Sequence, residues 1–240
     1  MTDRRSLAWC LASLAAWSAL LGMVLTREGL AEDDAPVLRW LVGHRSGAAT
    51  TVLTGVSDSV VDAAAAAGVA GVVLLIAVRG RSVWPLVTLA GAVGGSVVLA
   101  ELVKAVVGRA RPGTATMLGT PETGSGFPSA HTLVMTALVG AGALVVWRAT
   151  RAVPVRAGAV VLAVLTAVAM GASRLYLGDH WLTDVLASYA LAGVVLTVVA
   201  ALTAPGSVRD RWTATLPRIP RATRADSGRE AAVEGVSPSS

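Results

Sequence analysis

Six stretches of the chain are long, apolar and nearly free of charge, and short polar segments separate them. The first, Leu7 to Leu25, is an uncharged run of 19 residues behind Arg4 and Arg5. At 1.5 Å per residue it is long enough to cross a hydrocarbon core of about 30 Å. The second run, Val60 to Val78, carries Asp62 near its outer end. The Arg79-Gly80-Arg81 turn then leads directly into a third run, Val83 to Ala100, which makes these two antiparallel neighbours. The fourth (Thr132 to Trp147) and fifth (Ala157 to Ala172) have uncharged cores of 16 residues each, so their flanks must help complete a crossing. The sixth runs from Val185 to Ala204. The pattern predicts an all-α integral membrane bundle of six transmembrane helices. A cleavable signal peptide is the alternative reading of the first run, although no small-x-small site precedes Arg27-Glu28, and the later topology is the same either way.

The connecting segments carry their own signals. Residues 26–59 read as an exposed, partly helical loop whose Val37-Leu38-Arg39-Trp40-Leu41 patch can lie along the membrane interface. Pro112 disfavours helical geometry at Arg111, so the third helix is expected to stop there and release a mobile loop, Gly113 to Gly126. Pro128 and Ser129 restart a helix, with Ser129 as its N-cap. From Pro205 onward the chain is rich in Arg, Ser and Pro with little apolar periodicity. The expected organisation is therefore a six-span domain over residues 1–204 and a disordered basic cytoplasmic tail over 205–240.

Composition supports the membrane reading: 54% of the 240 residues are hydrophobic and the mean hydropathy is +0.67. The single Cys10 excludes a disulfide framework and a cysteine-based metal site. A formal charge of +5 and a pI near 10.6 raise the question of nucleic acid, but the arginines sit in short loops between apolar segments. Membrane topology accounts for them without a nucleic acid partner. Six spans place both ends of the chain on one side, which collects 13 of the 20 basic residues. By the positive-inside rule that side is cytoplasmic, in a cell membrane, and the opposite loops face outward. Lys104, Arg109, Arg111 and Arg174 all belong to the outward set.

Candidate chemistry is concentrated at that outer face. In Ser173-Arg174-Leu175-Tyr176-Leu177-Gly178-Asp179-His180-Trp181-Leu182-Thr183-Asp184, a helix beginning near residue 179 would put His180 and Asp184 on one face, where the carboxylate fixes the imidazole tautomer. Arg174 lies before a bend permitted by Gly178, and its planar fork suits a phosphate. Asp179 reads as a helix N-cap and Arg109 as a solvated flank. Lys104 and Arg111 stand seven residues apart, two helical turns, and can reach one region; alternatively they are snorkelling interfacial cations. Glu101 can pair with Lys104. In Phe127-Pro128-Ser129-Ala130-His131 the amides opening a helix form an anion site with the Ser129 hydroxyl. His131 is placed either to protonate a leaving oxygen or to bond a loop carbonyl. His180 with Asp184 is also compatible with a structural pair or half a metal site, but their cationic neighbours would repel a divalent ion. No metal and no cofactor is expected.

Taken together, the segments Lys104-x6-Arg111-Pro112, Pro128-Ser129-Ala130-His131 and Ser173-Arg174-x5-His180-x3-Asp184 resemble, in order, the three motifs of the type 2 phosphatidic acid phosphatase (PAP2) superfamily. Ala130 stands where that family usually has Gly, and a positive φ there would strain it; a tolerated variant is expected, since the amide donor remains. The resemblance implies a hydrolase in which Lys104, Arg111 and Arg174, with Ser129 and the Ala130 amide, hold the phosphate oxygens. It further implies that His180 attacks phosphorus to give a phosphohistidine, that Asp184 orients it, and that His131 protonates the departing oxygen. The substrate would be a lipid monophosphate or diphosphate. Undecaprenyl pyrophosphate comes first, because family members of this size and plan act on it, with phosphatidylglycerophosphate and phosphatidate as alternatives. A vanadium haloperoxidase shares the anion pocket but does not span a membrane. A small transporter should distribute ionisable groups through the bundle depth, whereas these spans are almost uncharged at mid-depth. A lipid-binding scaffold would not require both histidines and Asp184.

Overall fold

The computed structural model of the chain describes residues 4–57, 59–119 and 121–204. The basic tail expected from Pro205 onward lies outside the described residues. Among those described there are eight α-helices and two 3-10 turns, and no strand. The helices are α1 Arg4–Thr26, α2 Asp34–Gly43, α3 Gly47–Val56, α4 Ser59–Arg79, α5 Trp84–Val107, α6 Ala130–Ala149, α7 Val153–Leu177 and α8 Leu182–Leu202. Six of them, all but α2 and α3, are long and apolar enough to cross a membrane, and they coincide with the six uncharged runs.

α6 is the centre of the bundle: it packs on α4, α5, α7 and α8 and is the most buried of the spans, while α1 lies against α8. Close approach is set by small side chains. Ala92, Ala137 and Ala141 are buried with Val195 and Val199 where α5, α6 and α8 meet, so backbones approach without the large interlocking residues of a soluble core. The outer surfaces of α4, α5 and α7 present Leu74, Leu75, Val97, Val98, Val161, Leu162 and Leu165 outward, the apolar surface a lipid environment requires.

Two breaks position the polar end of the bundle. α5 ends at Val107, four residues before the boundary expected from Pro112, because Gly108 takes the left-handed conformation at φ 59° and its amide closes on the Lys104 carbonyl. α7 ends at Gly178, φ 84°, whose N–H bonds Leu175 O while Asp179 N–H bonds Arg174 O, a Schellman arrangement. A Cβ at Gly178 would stand 2.3 Å from the Thr116 carbonyl oxygen, so both backbone angle and space demand glycine there.

Residues 26–57 are partly helical and largely exposed, as expected, but they are not a free loop. α2 and α3 fold over the polar end and are tied to it: Arg45 donates to the carbonyls of Thr116 and Tyr176 at 2.7 Å. Tyr176 Oη bonds Thr50 at 2.9 Å and Ser57 bonds Ser173 at 2.5 Å. Polar groups leaving the membrane from α7 thus find partners in the first connection, which satisfies donors and acceptors that burial would otherwise strand. Trp40 remains exposed, as the interfacial patch requires.

Candidate active site

The ends of α5 and α7 and the starts of α6 and α8 converge under α2 and α3, and all three motifs meet there. His180 is 1% exposed. It precedes α8 instead of lying within it, since the helix begins at Leu182; the shared helical face expected for His180 and Asp184 is therefore absent. The two residues nevertheless meet, with Nδ1 3.4 Å from Asp184 Oδ2. The closer partner of Nδ1 is the Gly126 carbonyl at 2.8 Å. A carbonyl only accepts, so Nδ1 carries the proton and Nε2 keeps its lone pair. That lone pair accepts from Arg111 Nη1 at 3.0 Å. Gly126 is held against the motif by its N–H to Arg109 O at 2.7 Å; a Cβ there would press on Arg111 and on Asp184 Oδ2, each at 3.2 Å.

On the Nε2 side, two guanidinium groups close on one carboxylate, Glu122. Its Oε1 accepts from Arg174 Nη2, its Oε2 is ion-paired with Arg111 Nη1 at 2.7 Å, and His131 Nδ1 is 3.9 Å away. Burial pushes the Glu122 carboxyl up, but Arg174 and Arg111 outweigh it and hold the group below its ordinary range. Arg174 also pairs with Asp179 at 2.8 Å. Asp179 is thus an ion-pair partner and not the N-cap of α8, a position held by Trp181. Its carboxyl is raised, since burial exceeds the opposing attraction of Arg174. The Nε atoms of both Arg111 and Arg174 are buried with no hydrogen-bond partner among the described residues.

The remaining predicted residues fall at graded distances from this cluster. Ser129 caps α6, accepting from Thr132 N–H at 3.4 Å and sharing a bond with Thr132 Oγ1 at 3.0 Å. Ala130 opens α6 without a positive φ, so the strain considered for this position does not arise. His131 is 44% exposed on its side chain and faces Glu122. Lys104 is paired with Glu101 at 3.0 Å, as expected, and makes no ion pair with the Glu122 cluster.

Arg109 is the plainest departure from expectation. It is no solvated flank: it donates to Asp184 Oδ1 and to Asp34 Oδ2, both at 2.5 Å, and to Thr183 Oγ1 at 2.7 Å. Sequence reasoning missed Glu122, Asp34 and this use of Arg109. The signal for Glu122 was a lone acid in a Gly-, Thr- and Pro-rich loop between two basic motifs, and for Asp34 an acidic triplet beside an apolar patch.

The fold of this helical bundle has a counterpart among solved structures. The fold aligns with the crystal structure of a transmembrane PAP2 type phosphatidylglycerolphosphate phosphatase from Bacillus subtilis, with a TM-score of 0.64 over 86% of this chain and 98% of that one, at 18% identity. No curated protein matches the sequence. The sequence model of the PAP2 superfamily matches residues 85–205, about half the chain and all three motifs, and the protein belongs to that superfamily. It is a multi-pass membrane phosphatase.

Proposed function

We propose that the protein removes the terminal phosphate of a membrane lipid phosphate or diphosphate through a phosphohistidine at His180. The observation that carries this is the pair of guanidinium groups, Arg111 and Arg174, closing on a carboxylate in front of the His180 Nε2 lone pair. That carboxylate is the protein's own stand-in for a phosphate, and two buried Nε–H donors are left over to meet the additional oxygens of a phosphoryl group. Substrate would displace Glu122. His180 Nε2 would then form the N–P bond as the bond from phosphorus to the lipid oxygen breaks, with the oxygen taking a proton from His131. Water, deprotonated by His131, would attack phosphorus, break the N–P bond and release phosphate. Lys104, Ser129 and the Ala130 amide complete the phosphate site in this reading, and the cations stabilise charge spread over the transferring oxygens.

A lipid substrate is supported by an apolar groove of about 420 Å³ between α4 and α6, with Asp62 and His131 at its polar end and Ala63, Ala66, Val134, Met135 and Leu138 along it. A lipid chain lying there would keep its tail among the spans while its phosphate reaches the arginines. Undecaprenyl pyrophosphate is the first substrate to test, and phosphatidylglycerophosphate, the substrate class in the name of the B. subtilis protein, is the second. Phosphate release by the purified protein across a panel of lipid phosphates decides between them, and no release from any of them would sink the proposal.

The charge asymmetry supports a cell-membrane orientation with cytoplasmic termini and an outward-facing site. With Cys10 replaced, Thr123→Cys in the exposed loop should react with an impermeant thiol reagent in intact cells; labelling only after lysis would reverse the orientation.

A further inference from the structure

Behind His180 lies a second charged group that none of the three motifs includes. Asp34, from the first turn of α2 and 3% exposed, accepts from Arg109 Nη2 at 2.5 Å and from Thr183 through both its N–H at 2.9 Å and its Oγ1 at 2.7 Å. It satisfies an amide of the first turn of α8 that has no partner within its own helix, a cap supplied from 149 residues away. Arg109 bridges it to Asp184, which is fully buried and whose other oxygen accepts from Trp181 N–H at 3.0 Å and faces His180 Nδ1. The Arg109 guanidinium also lies over the Trp181 ring, 5.9 Å from its centroid.

The charges decide what this arrangement does. Asp184 paired with Arg109 alone would be a neutral unit, with little negative charge to offer an imidazole that becomes cationic when its Nε2 is phosphorylated. Asp34 returns the missing charge, so that Asp34, Arg109 and Asp184 together carry one net negative charge, with both carboxylates buried, where screening is weaker than at an exposed surface. The planar fork of Arg109 holds both carboxylates at once, which a lysine ammonium cannot do in the same geometry.

We infer that Asp34 and Arg109 are positioning residues for the phosphoryl transfer: they fix Asp184 and set the net charge behind His180. This rests on His180 being the nucleophile. The side chains of Asp34 and Arg109 make no hydrogen bond or ion pair with Arg111, Arg174 or Glu122, so phosphate binding should be spared when they change.

The test uses the full-length protein in detergent with p-nitrophenyl phosphate. Asp34→Asn should lower kcat by about 10- to 100-fold, the size seen when outer partners of a functional imidazole are removed, while KM stays within about twofold. Asp34→Glu keeps the charge and should hold kcat within about threefold of the parent. Adding Arg109→Met to Asp34→Asn restores one net negative charge on Asp184, so the double variant should be about tenfold faster than Asp34→Asn alone, a non-additivity expected of coupled charges. A purely structural pair would make the double variant equal or worse. That result, an Asp34→Glu as slow as Asp34→Asn, or a rise in KM matching the fall in kcat would each overturn the inference. A parent protein that releases no phosphate from aryl or lipid phosphates would instead refute the functional reading on which it rests.

Discussion

The two faces of His180 are built from the same residue types and behave differently. In front of Nε2, Arg111 and Arg174 share Glu122, a loop residue whose side chain is 27% exposed. Behind Nδ1, Arg109 is shared by two carboxylates, Asp34 and Asp184, both nearly or fully buried and both anchored to helix starts. The front carboxylate sits on a loop and is held by the two arginines; the rear ones each accept several hydrogen bonds from groups at helix starts and from Arg109, beside a cavity of about 570 Å³ that Asp34, Arg109 and Trp181 help to line. An ion pair at a site open to ligand is exchangeable, whereas one enclosed by satisfied partners is fixed, since removing either member strands a buried charge.

The largest effect that would break this contrast is loss of the shared imidazole. His180→Ala should abolish turnover, by about 10⁴-fold or more. His131→Ala, on the front side, should lose about 10²- to 10⁴-fold on lipid phosphates, the range for a general acid. With an aryl phosphate, whose leaving group needs no proton, His131→Ala should still release aryl alcohol in a first turnover. It should then accumulate an acid-labile, alkali-stable phosphoenzyme; equal loss of the burst in both variants would show that the acid is misassigned.

A smaller effect sharpens the front side. Glu122→Gln keeps the shape and removes the competing charge, so inhibition by inorganic phosphate and by orthovanadate should tighten about tenfold, or about 1.4 kcal/mol. The sign of the pH dependence follows from its lowered pKa. A depressed folded value keeps the group ionised and its ion pairs intact above the ordinary 4.5, and loses them only as pH falls through the lower folded value. The difference between parent and Glu122→Gln in phosphate inhibition should therefore persist from neutral pH down to about 4.5 and close only below it. A gap that already closes near pH 6 would contradict the ion-paired carboxylate.

The smallest expected effect is that of a chelator. Because Arg111 and Arg174 already supply positive charge to the transferring oxygens, hydrolysis should survive EDTA. Loss of activity with EDTA, restored by Mg²⁺, would mean that the front side needs a metal to be complete.

The sequence by itself determined the six spans and the end of the bundle at which the three motif segments gather. Length and apolarity of a run decide whether a helix can cross a bilayer, and those are local properties. The three motif segments could be placed at one end because alternating spans leave no other arrangement for them. Gly178 and Ser129 likewise announced a turn and a cap through their own backbone and side-chain chemistry. What only the tertiary structure decided is which charge meets which. Glu122 reaches Arg174 across 52 residues, Asp34 reaches Arg109 across 75 and Thr183 across 149. Residues 26–57, largely exposed as their polarity suggests, are nevertheless tied to the bundle because the end of α7 leaves Tyr176 and Ser173 with hydrogen bonds to satisfy. The meeting of His180 with Asp184 was foreseen as a helical i,i+4 contact, but it is made by the bend at Gly178 and by the Gly126 carbonyl on a distant loop. Partner choice among buried ions depends on desolvation and on the positions of every nearby donor, quantities that exist only once the chain has packed.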